Sequence, residues 1–221
     1  MKRKRLACLH GGAHSERLSL KRSVCADYLA AAIYLLDLPK TDLSPFDGLI
    51  IPEGLNQRKL DAASAQLVRY LNGSGTVFLF GDQPTEWLPG VRWRFAVAGQ
   101  PEPDNLRIAS PSHPLHTAFK PVDFYHQHGS FLPPEGAEVL MTKRNGDVVL
   151  YVDEVSTAGR LMVTSLDLMH HVDGFFSNPV STRFFDRFLP WVVDEFLEDN
   201  PTQPAKQFGN KPQGATAQIL P

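Results

Sequence analysis

The stretch that decides the fold reads Gly73-Ser74-Gly75-Thr76-Val77-Phe78-Leu79-Phe80-Gly81-Asp82. A glycine-flanked turn leads into five apolar or β-branched residues, and a glycine and a carboxylate follow them. A short run that is apolar throughout predicts a parallel strand buried on both faces. Because open α/β sheets bind ligands beyond the carboxyl ends of such strands, Gly81 and Asp82 mark the first place to look for chemistry.

An amphipathic helix is predicted immediately before this strand. Its apolar residues recur at helical spacing at Leu60, Ala63, Leu67 and Leu71. This pattern indicates one helix from Asp61 to Asn72, and Gly73 occupies the place of a helix C-cap glycine. Two earlier apolar runs, Leu6–Leu9 and Leu49–Ile51, are strands of the same kind, while Ile33 to Leu38 fits either a helix end or a further strand. The alternation of strand and helix predicts a parallel sheet with right-handed crossovers.

Beyond Asp82 the pattern changes to short strands separated by turns. The candidate strands are Trp93–Val97, Leu106–Ala109, Val122–Tyr125, Val139–Thr142 and Val148–Val152. The last two are joined through Asn145-Gly146, which is typical of an antiparallel hairpin. Gly159–Ser165 returns to the buried-strand pattern, and a final helix is predicted from Asn178-Pro179, with Pro190 interrupting and kinking it.

These elements predict an α/β protein, a three-layer α/β/α sandwich with a flavodoxin-like parallel sheet and an antiparallel extension. Residues 1–199 are expected to form a single domain. Residues 200–221 are rich in proline, glutamine and glycine and poor in apolar side chains, so they are expected to be a disordered tail.

Composition narrows the classes of function. The chain has 221 residues, a net charge of −2 and a pI near 6.4, so nucleic acid is an unlikely partner. No run of about 18 apolar residues is present, and the sequence therefore predicts no membrane span. Cys8 and Cys25 lie in apolar contexts without C-x-x-C spacing, which is typical of buried thiols in a reducing compartment. We expect a cytoplasmic protein.

Several segments resemble class I glutamine amidotransferase-like domains. Their D-x-L-I-x-P-x-G strand and turn is similar to Phe46-Asp47-Gly48-Leu49-Ile50-Ile51-Pro52-Glu53-Gly54. Their next helix end, glycine turn and central strand look like the stretch from Tyr70 to Gly81. An H-P-L segment and a late G-R-x-x-x-T-S-L strand, found in the trehalose-utilisation-like branch, are similar to Ser112–Leu115 and Gly159–Leu166. The likeness covers Leu6 to Leu197.

The chain departs from this family at the residues that carry its reaction. Glutamine-hydrolysing members have a cysteine nucleophile in a G-x-C-x-G turn after the central strand, where this chain reads Phe80-Gly81-Asp82-Gln83. The His-Pro-Glu that completes their triad has no counterpart in Asp167-Leu168-Met169-His170-His171-Val172-Asp173. We therefore expect no glutaminase activity, since a thiolate nucleophile needs an exposed and activated position.

Polar residues are nevertheless predicted to converge on the carboxyl edge of the sheet. The candidate catalytic residues are Asp82, as acceptor or base, and one of His170 and His171. The candidate ligand-binding residues are His10, Glu53, Asp167, His126 and His128. Such side chains can bind a divalent metal or transfer protons, although no spacing is of the H-E-x-x-H kind, so a metal is not favoured and the cofactor stays unknown. They equally suit the capping of turns.

Two functions remain open. The first is a domain that binds or acts on a small polar ligand, for example as a hydrolase or lyase on a sugar-derived substrate. Five aromatic residues are candidates to line a sugar-binding cleft, although they equally suit a small core: Trp87, Trp93, Tyr125, Phe131 and Phe175. The alternative is a non-catalytic interaction module with a vestigial cleft, which binds a protein partner or forms a homo-oligomer.

Overall fold

The structure, a computed structural model, describes residues 4–95, 106–124, 129–169, 172 and 178–198. Its strands are β1 (Leu6–His10), β2 (Leu29–Tyr34), β3 (Gly48–Ile51), β4 (Thr76–Phe80), β5 (Trp93–Arg94), β6 (Leu106–Ile108), β7 (Ser130–Phe131), β8 (Glu138–Lys143), β9 (Val148–Asp153) and β10 (Arg160–Thr164). Its helices are α1 (His14–Ser19), α2 (Ser23–Tyr28), α3 (Gln57–Ala62), α4 (Ser64–Asn72), α5 (Leu115–Ala118) and α6 (Pro179–Trp191). The predicted tail at 200–221 lies outside the described residues.

Within these residues the ten strands form one mixed sheet. Its main path runs β2-β1-β3-β4-β10-β9-β7-β5, and β8 pairs with both β9 and β6. The five strands from β2 to β10 pair in parallel, while β9 and the strands beyond it pair antiparallel. The predicted fold class is confirmed, with β1, β3 and β4 adjacent and parallel and β8–β9 forming the expected hairpin.

Alternate side chains of β4 enter two separate hydrophobic cores, one on each face of the sheet. Val77 and Leu79 pack in the core that includes α3 and α4. Phe78 and Phe80 face the opposite core, where both rings meet Phe188 of α6 edge to face, at centroid distances of 5.6 and 5.2 Å. Because each fully buried side chain of this size contributes about 1.5–3 kcal/mol, β4 stabilises the packing of helices on both faces of the sheet.

The helix before β4 is divided, contrary to the single helix expected from Asp61 to Asn72. Ala63 has φ −98° and ψ 0°, which ends α3 and begins α4. The predicted apolar face is nevertheless correct, because all four of its residues are buried: Leu60, Ala63, Leu67 and Leu71. The periodicity thus identified the buried face but not the break between α3 and α4, since an alanine can adopt either a helical or a non-helical backbone conformation.

The turn between α4 and β4 places its left-handed residue one position later than expected. Gly73 has φ −82°, whereas Ser74 has φ +66°. The amide of Ser74 donates to the carbonyl of Leu71, and the amide of Gly75 donates to that of Tyr70, which is the Schellman pattern of a helix end. Ser74 therefore carries backbone strain that a glycine would not.

Replacing Ser74 with glycine is expected to stabilise the protein by about 0.5–1 kcal/mol. A left-handed residue with a Cβ costs about 1–2 kcal/mol, and the greater freedom of glycine in the unfolded chain offsets part of the gain. Urea unfolding should show a higher midpoint with an unchanged slope. Gly73→Ala is the matched control. Because φ is already negative at Gly73, this variant relieves no backbone strain, so strain relief should not raise its midpoint. A lower midpoint for Ser74→Gly would contradict the conclusion that Ser74 carries backbone strain.

Three further sequence predictions differ from the structure. Residues Pro121–Phe124 form a 3-10 helix rather than a strand, because the buried carboxylate of Asp123 accepts from the amide of Lys120 and closes a turn there. The ambiguous segment is a strand only up to Tyr34, and Leu35–Lys40 is a 3-10 helix. Pro190 does not interrupt α6, which continues to Trp191 and then widens into a π-helical turn over Val192–Phe196.

No helix in the described part of the chain combines the length and the apolar character needed to cross a bilayer.

Candidate functional site

Three neighbouring parallel strands, β3, β4 and β10, end side by side, and each is followed by a residue of interest. Glu53 comes two positions after β3, Gly81 directly after β4, and Asp167 three positions after β10. The amide of Gly81 donates to the carbonyl of Thr164 at 2.9 Å, so the first residue beyond β4 stays attached to β10. The carboxyl edge of the sheet therefore brings two sequence-predicted site residues, Glu53 and Asp167, to the same place.

The side chain of Glu53 joins the loop after β3 to the loop after β10. One carboxylate oxygen accepts from the amide of Leu168 at 2.8 Å, and the other accepts from the amide of Met169 at 2.7 Å. Glu53 and Asp167 are each 9% exposed. A carboxylate held by two backbone amides has a fixed orientation, so its position relative to Asp167 is set by the fold.

Gly81 leaves room at the end of β4 for both Glu53 and Asp167. Its φ is +74°, and a Cβ at this position would lie 2.3 Å from the Cβ of Glu53 and 3.5 Å from an oxygen of Asp167. Both the left-handed backbone and the short approach require glycine. A turn of this kind after a central strand is where many hydrolases hold a nucleophile, but glycine has no side chain to provide one.

Burial and charge shift the protonation of Glu53 towards neutral pH. Burial, with a smaller contribution from the nearby charge of Asp167, raises the pKa of this carboxyl to about 7, although the amides of Leu168 and Met169 oppose both effects. A group that is half protonated near pH 7 can serve as either acid or base. This shift makes Glu53 the described residue best suited to proton transfer at this edge.

Asp82, the predicted acceptor or base, is exposed beyond Gly81. The buried polar residue of this turn is instead Gln83, which sequence analysis missed. Its amide nitrogen donates to the carbonyl of Phe80 at 3.0 Å, and its oxygen accepts from the side chains of Gln57 and Trp87. A glutamine in a polar loop gives no sequence signal for such a role, since its partners lie on other segments.

His10 ends β1, two strands away from β4 on the same edge. Its ring is half-buried and lies 5.5 Å from the ring of Tyr34, and its Nδ1 is buried without a hydrogen-bond partner among the described residues. The adjacent loop is held by Glu16, whose carboxylate accepts from the amides of Gly11 and Ala13 at 2.9 and 2.8 Å. His10 is thus placed at the predicted edge.

The other predicted histidines, His126, His128, His170 and His171, lie outside the described residues. Among the residues that are described, no group of three or more histidine, cysteine, aspartate or glutamate side chains could hold a metal ion. The titratable side chains buried after β3 and β10 at the described part of this edge are thus Glu53 and Asp167, with His10 half-buried two strands away from β4.

The described residues also form two clefts. One of about 440 Å³ is formed mainly by residues 86–92 together with Pro134 and Ser156. Another of about 290 Å³ lies at the amino end of β10, between His113, Glu138, Arg160 and Phe196. Of the aromatic residues considered for a sugar cleft, Trp87 and Phe131 are 4% and 1% exposed and pack in the core beside α3 and α4.

Solved structures with the same fold come from bacteria and archaea. The chain is similar to two cytoplasmic proteins of Salmonella typhimurium, STM3548 (13% identity, TM-score 0.56, covering 85% of this chain and 98% of that one) and STM1381 (11% identity, TM-score 0.58, covering 86% and 99%). It is also similar to a Thermoplasma acidophilum protein named as a GMP synthase subunit (10% identity, TM-score 0.54, covering 90% and 99%). Neither the models of known protein families nor the curated proteins gave a match.

The fold is therefore that of class I glutamine amidotransferase-like proteins. Identities of this size establish the fold alone, so the activity has to be argued from the residues of this chain. In the glutamine-hydrolysing proteins that the sequence resembles, the cysteine nucleophile follows the central strand. Here that position is occupied by Gly81, and both cysteines lie elsewhere: Cys8 is buried within β1 and Cys25 within α2. Burial raises the pKa of the Cys8 thiol well above its usual value, which disfavours the nucleophilic thiolate.

Proposed function

We propose that this protein is an amidotransferase-like domain without glutaminase activity, which binds a small polar ligand at the carboxyl edge of its sheet and transfers a proton to or from it. The observation that carries the proposal is the meeting of Glu53 and Asp167 across Gly81, with the pKa of Glu53 raised to about 7. Perturbed carboxyl groups of this kind are concentrated at functional sites.

The chemistry of the pair favours a ligand with hydroxyl groups. Asp167 offers a carboxylate that accepts hydrogen bonds, and Glu53 offers either a proton or an acceptor near neutral pH. Proton transfer at a hydroxyl is what hydrolases and lyases acting on sugar derivatives require. The narrower resemblance to the trehalose-utilisation-like branch depends on sequence motifs alone, and it supplies the first ligands to test. Asp82 is proposed to contact the ligand from the exposed side of the turn.

The interaction-module alternative has its own support in the contacts of Glu53. Both carboxylate oxygens already accept hydrogen bonds from backbone amides. This arrangement is that of a structural brace between the loop after β3 and the loop after β10. A brace needs no ligand and no proton transfer. The two functions therefore differ in whether Asp167 contacts a ligand.

Ligand binding by the wild-type protein and by Asp167→Asn separates these functions. Calorimetric titrations with a panel of sugars and sugar acids, with and without divalent metal ions, should identify a ligand of the wild type. Asp167→Asn should weaken it at least about tenfold, because a hydrogen bond to a charged group contributes about 1.5–3 kcal/mol. Asp82→Asn tests whether Asp82 contacts the ligand from the exposed side of the turn.

The matched control is Asp61→Asn, an exposed carboxylate on α3, which should bind as the wild type does. Circular dichroism would verify that each variant is folded. If no member of the panel binds, or if Asp167→Asn binds as tightly as Asp61→Asn, the proposed site is wrong and the interaction module takes its place.

A further inference from the structure

The cleft at the amino end of β10 lies at the opposite edge of the sheet from Glu53 and Asp167. It has a volume of about 290 Å³, and several separate segments of the chain line it. Two of these segments were singled out in the sequence and have no role in the proposed function. The H-P-L segment supplies His113 to the cleft, and the late G-R strand supplies Arg160. The fold therefore brings both motifs to one cavity.

The ring of His113 offers this cleft a hydrogen-bond donor. Its Nδ1 accepts from the amide of Leu115 at 3.1 Å, so a neutral ring carries its proton on Nε2. Burial lowers the pKa of His113, which favours the neutral ring near pH 7. Within the described part of the chain, no hydrogen bond occupies Nε2. An oxygen atom of a ligand in the cleft can therefore accept this proton in a hydrogen bond.

The charge of Arg160 is already balanced inside the cleft. Its Nε donates to the carboxylate of Glu154 at 2.6 Å, and its Nη1 donates to the carbonyl of Phe196 at 3.2 Å. The guanidinium group also lies 4.7 Å from the centre of the Phe196 ring. Only 16% of the Arg160 side chain is exposed, so these contacts hold it in place. Arg160 and Glu154 thus form a wall of the cleft without net charge.

Glu138 adds a negative charge to the cleft. One of its oxygens accepts from the hydroxyl of Ser110, and among the described residues no salt bridge involves its carboxylate. Val152 lies opposite Glu138 in the β8–β9 pair and lines the same cleft. The lining therefore has two carboxylates against one guanidinium, which leaves an excess of one negative charge beside an apolar surface.

We propose that this cleft is a second ligand site, which binds a small primary amine that also carries a hydroxyl group, as amino sugars do. The ammonium group would pair with Glu138, and a hydroxyl oxygen would accept from Nε2 of His113. The carbon skeleton would contact Pro114 and Val152. The volume lies near the lower end of the usual range for ligand pockets, about 300–1,000 Å³, which suits a molecule of monosaccharide size. The excess of carboxylates disfavours an anion.

NMR titration of the full-length protein with glucosamine tests this site. Glucosamine should shift the amide signals of Leu115, Val152 and Arg160, which border the cleft. Glucose has a hydroxyl in place of the ammonium group and should need a several-fold higher concentration for the same shifts. If glucosamine shifts none of these signals, or shifts only those of Gly81 and Leu168, the inference is wrong. The ligand site at the carboxyl edge is tested separately by Asp167→Asn, so the two proposals can fail independently.

Glu138→Gln measures the contribution of the charge. A glutamine oxygen can still accept from Ser110, so the variant removes the charge and keeps that hydrogen bond. Its affinity for glucosamine should fall by about three- to tenfold, because water partly screens an exposed charge pair. Glu195→Gln is the matched control, since it removes the same charge from an exposed position next to Phe196 and should bind as the wild type does. Equal affinities of the two variants would contradict the proposed pairing, and thermal melts would verify that both are folded.

The C-terminal segment of the chain is the competing occupant of the cleft. Residues 200–221 contain Lys206 and Lys211 and no acidic residue, and the described chain ends two residues beyond Phe196. If a lysine of this segment pairs with Glu138, the full-length double variant Lys206→Gln, Lys211→Gln should bind glucosamine more tightly than the wild type. That result would overturn the assignment to a separate small amine. An unchanged affinity would support it.

Discussion

Replacing Gly81 with alanine is expected to lower the free energy of unfolding by about 2–5 kcal/mol. A left-handed residue with a Cβ costs about 1–2 kcal/mol, and overpacking in a filled site adds about 1–3 kcal/mol. The added atom would lie 2.3 Å from the Cβ of Glu53, so the loop after β3 would have to move. Urea unfolding followed by circular dichroism measures the change.

Gly54→Ala is the matched control for this prediction. Gly54 has φ +76°, close to that of Gly81, but a Cβ there would meet no atom within 4 Å. This variant should therefore lose only about 1–2 kcal/mol of its free energy of unfolding, which is the cost of a left-handed residue with a Cβ. Equal losses for the two variants would show that the contact with Glu53 is unimportant. Gly81→Cys should be equally destabilised and, like the wild type, should release no ammonia from glutamine.

The stability of the protein is expected to fall as pH rises through the titration of Glu53. Its pKa is about 7 in the folded protein and 4.5 when unperturbed, so the folded state binds the proton more tightly. The stabilising contribution of the protonated form is complete below pH 4.5 and is lost progressively up to about pH 7. The loss should amount to about 3 kcal/mol, since one pKa unit corresponds to 1.36 kcal/mol.

Asp167→Asn isolates the electrostatic part of this effect. Removing the neighbouring negative charge should lower the pKa of Glu53 and reduce the loss of stability between pH 4.5 and 7. Carboxyl carbon NMR of Glu53 would measure the titration directly, and urea unfolding across the same pH range would measure its consequence. Asp61→Asn should leave both unchanged. A midpoint near 4 for Glu53 in the wild type would remove the physical basis for its role as acid or base.

The central sheet was predictable because its strands carry local signals. Apolar runs bounded by glycine identify β3 and β4, and their alternation with helices orders them in parallel. The same logic placed Glu53 and Asp167 at one edge, since residues that follow neighbouring parallel strands meet there. The sequence could not show that Glu53 accepts hydrogen bonds from the amides of Leu168 and Met169, because these residues are far apart in the chain.

Several errors in the sequence predictions lie at junctions between elements, where apolar spacing does not determine the backbone conformation. Ala63 breaks a helix that its apolar spacing continues through, and Ser74 adopts a conformation that its neighbour Gly73 would tolerate better. The segment Leu29–Tyr34 contains three consecutive alanines, which favour a helix, yet pairing with β1 makes it a strand. For this strand, long-range pairing outweighs a local preference of about 1 kcal/mol.

The pairing of β4 with β10 has a consequence for how the chain reaches its native state. Thr76 lies opposite Arg160, so the middle of the sheet cannot close until the entire antiparallel region between them has been synthesised. Until then Thr76–Phe80 is an uncharged strand of apolar and β-branched residues with one side unpaired, which is the kind of segment that aggregates. Non-local closure of this type is slow, so we expect the nascent chain to be most exposed to aggregation in the interval before its C-terminal half is complete.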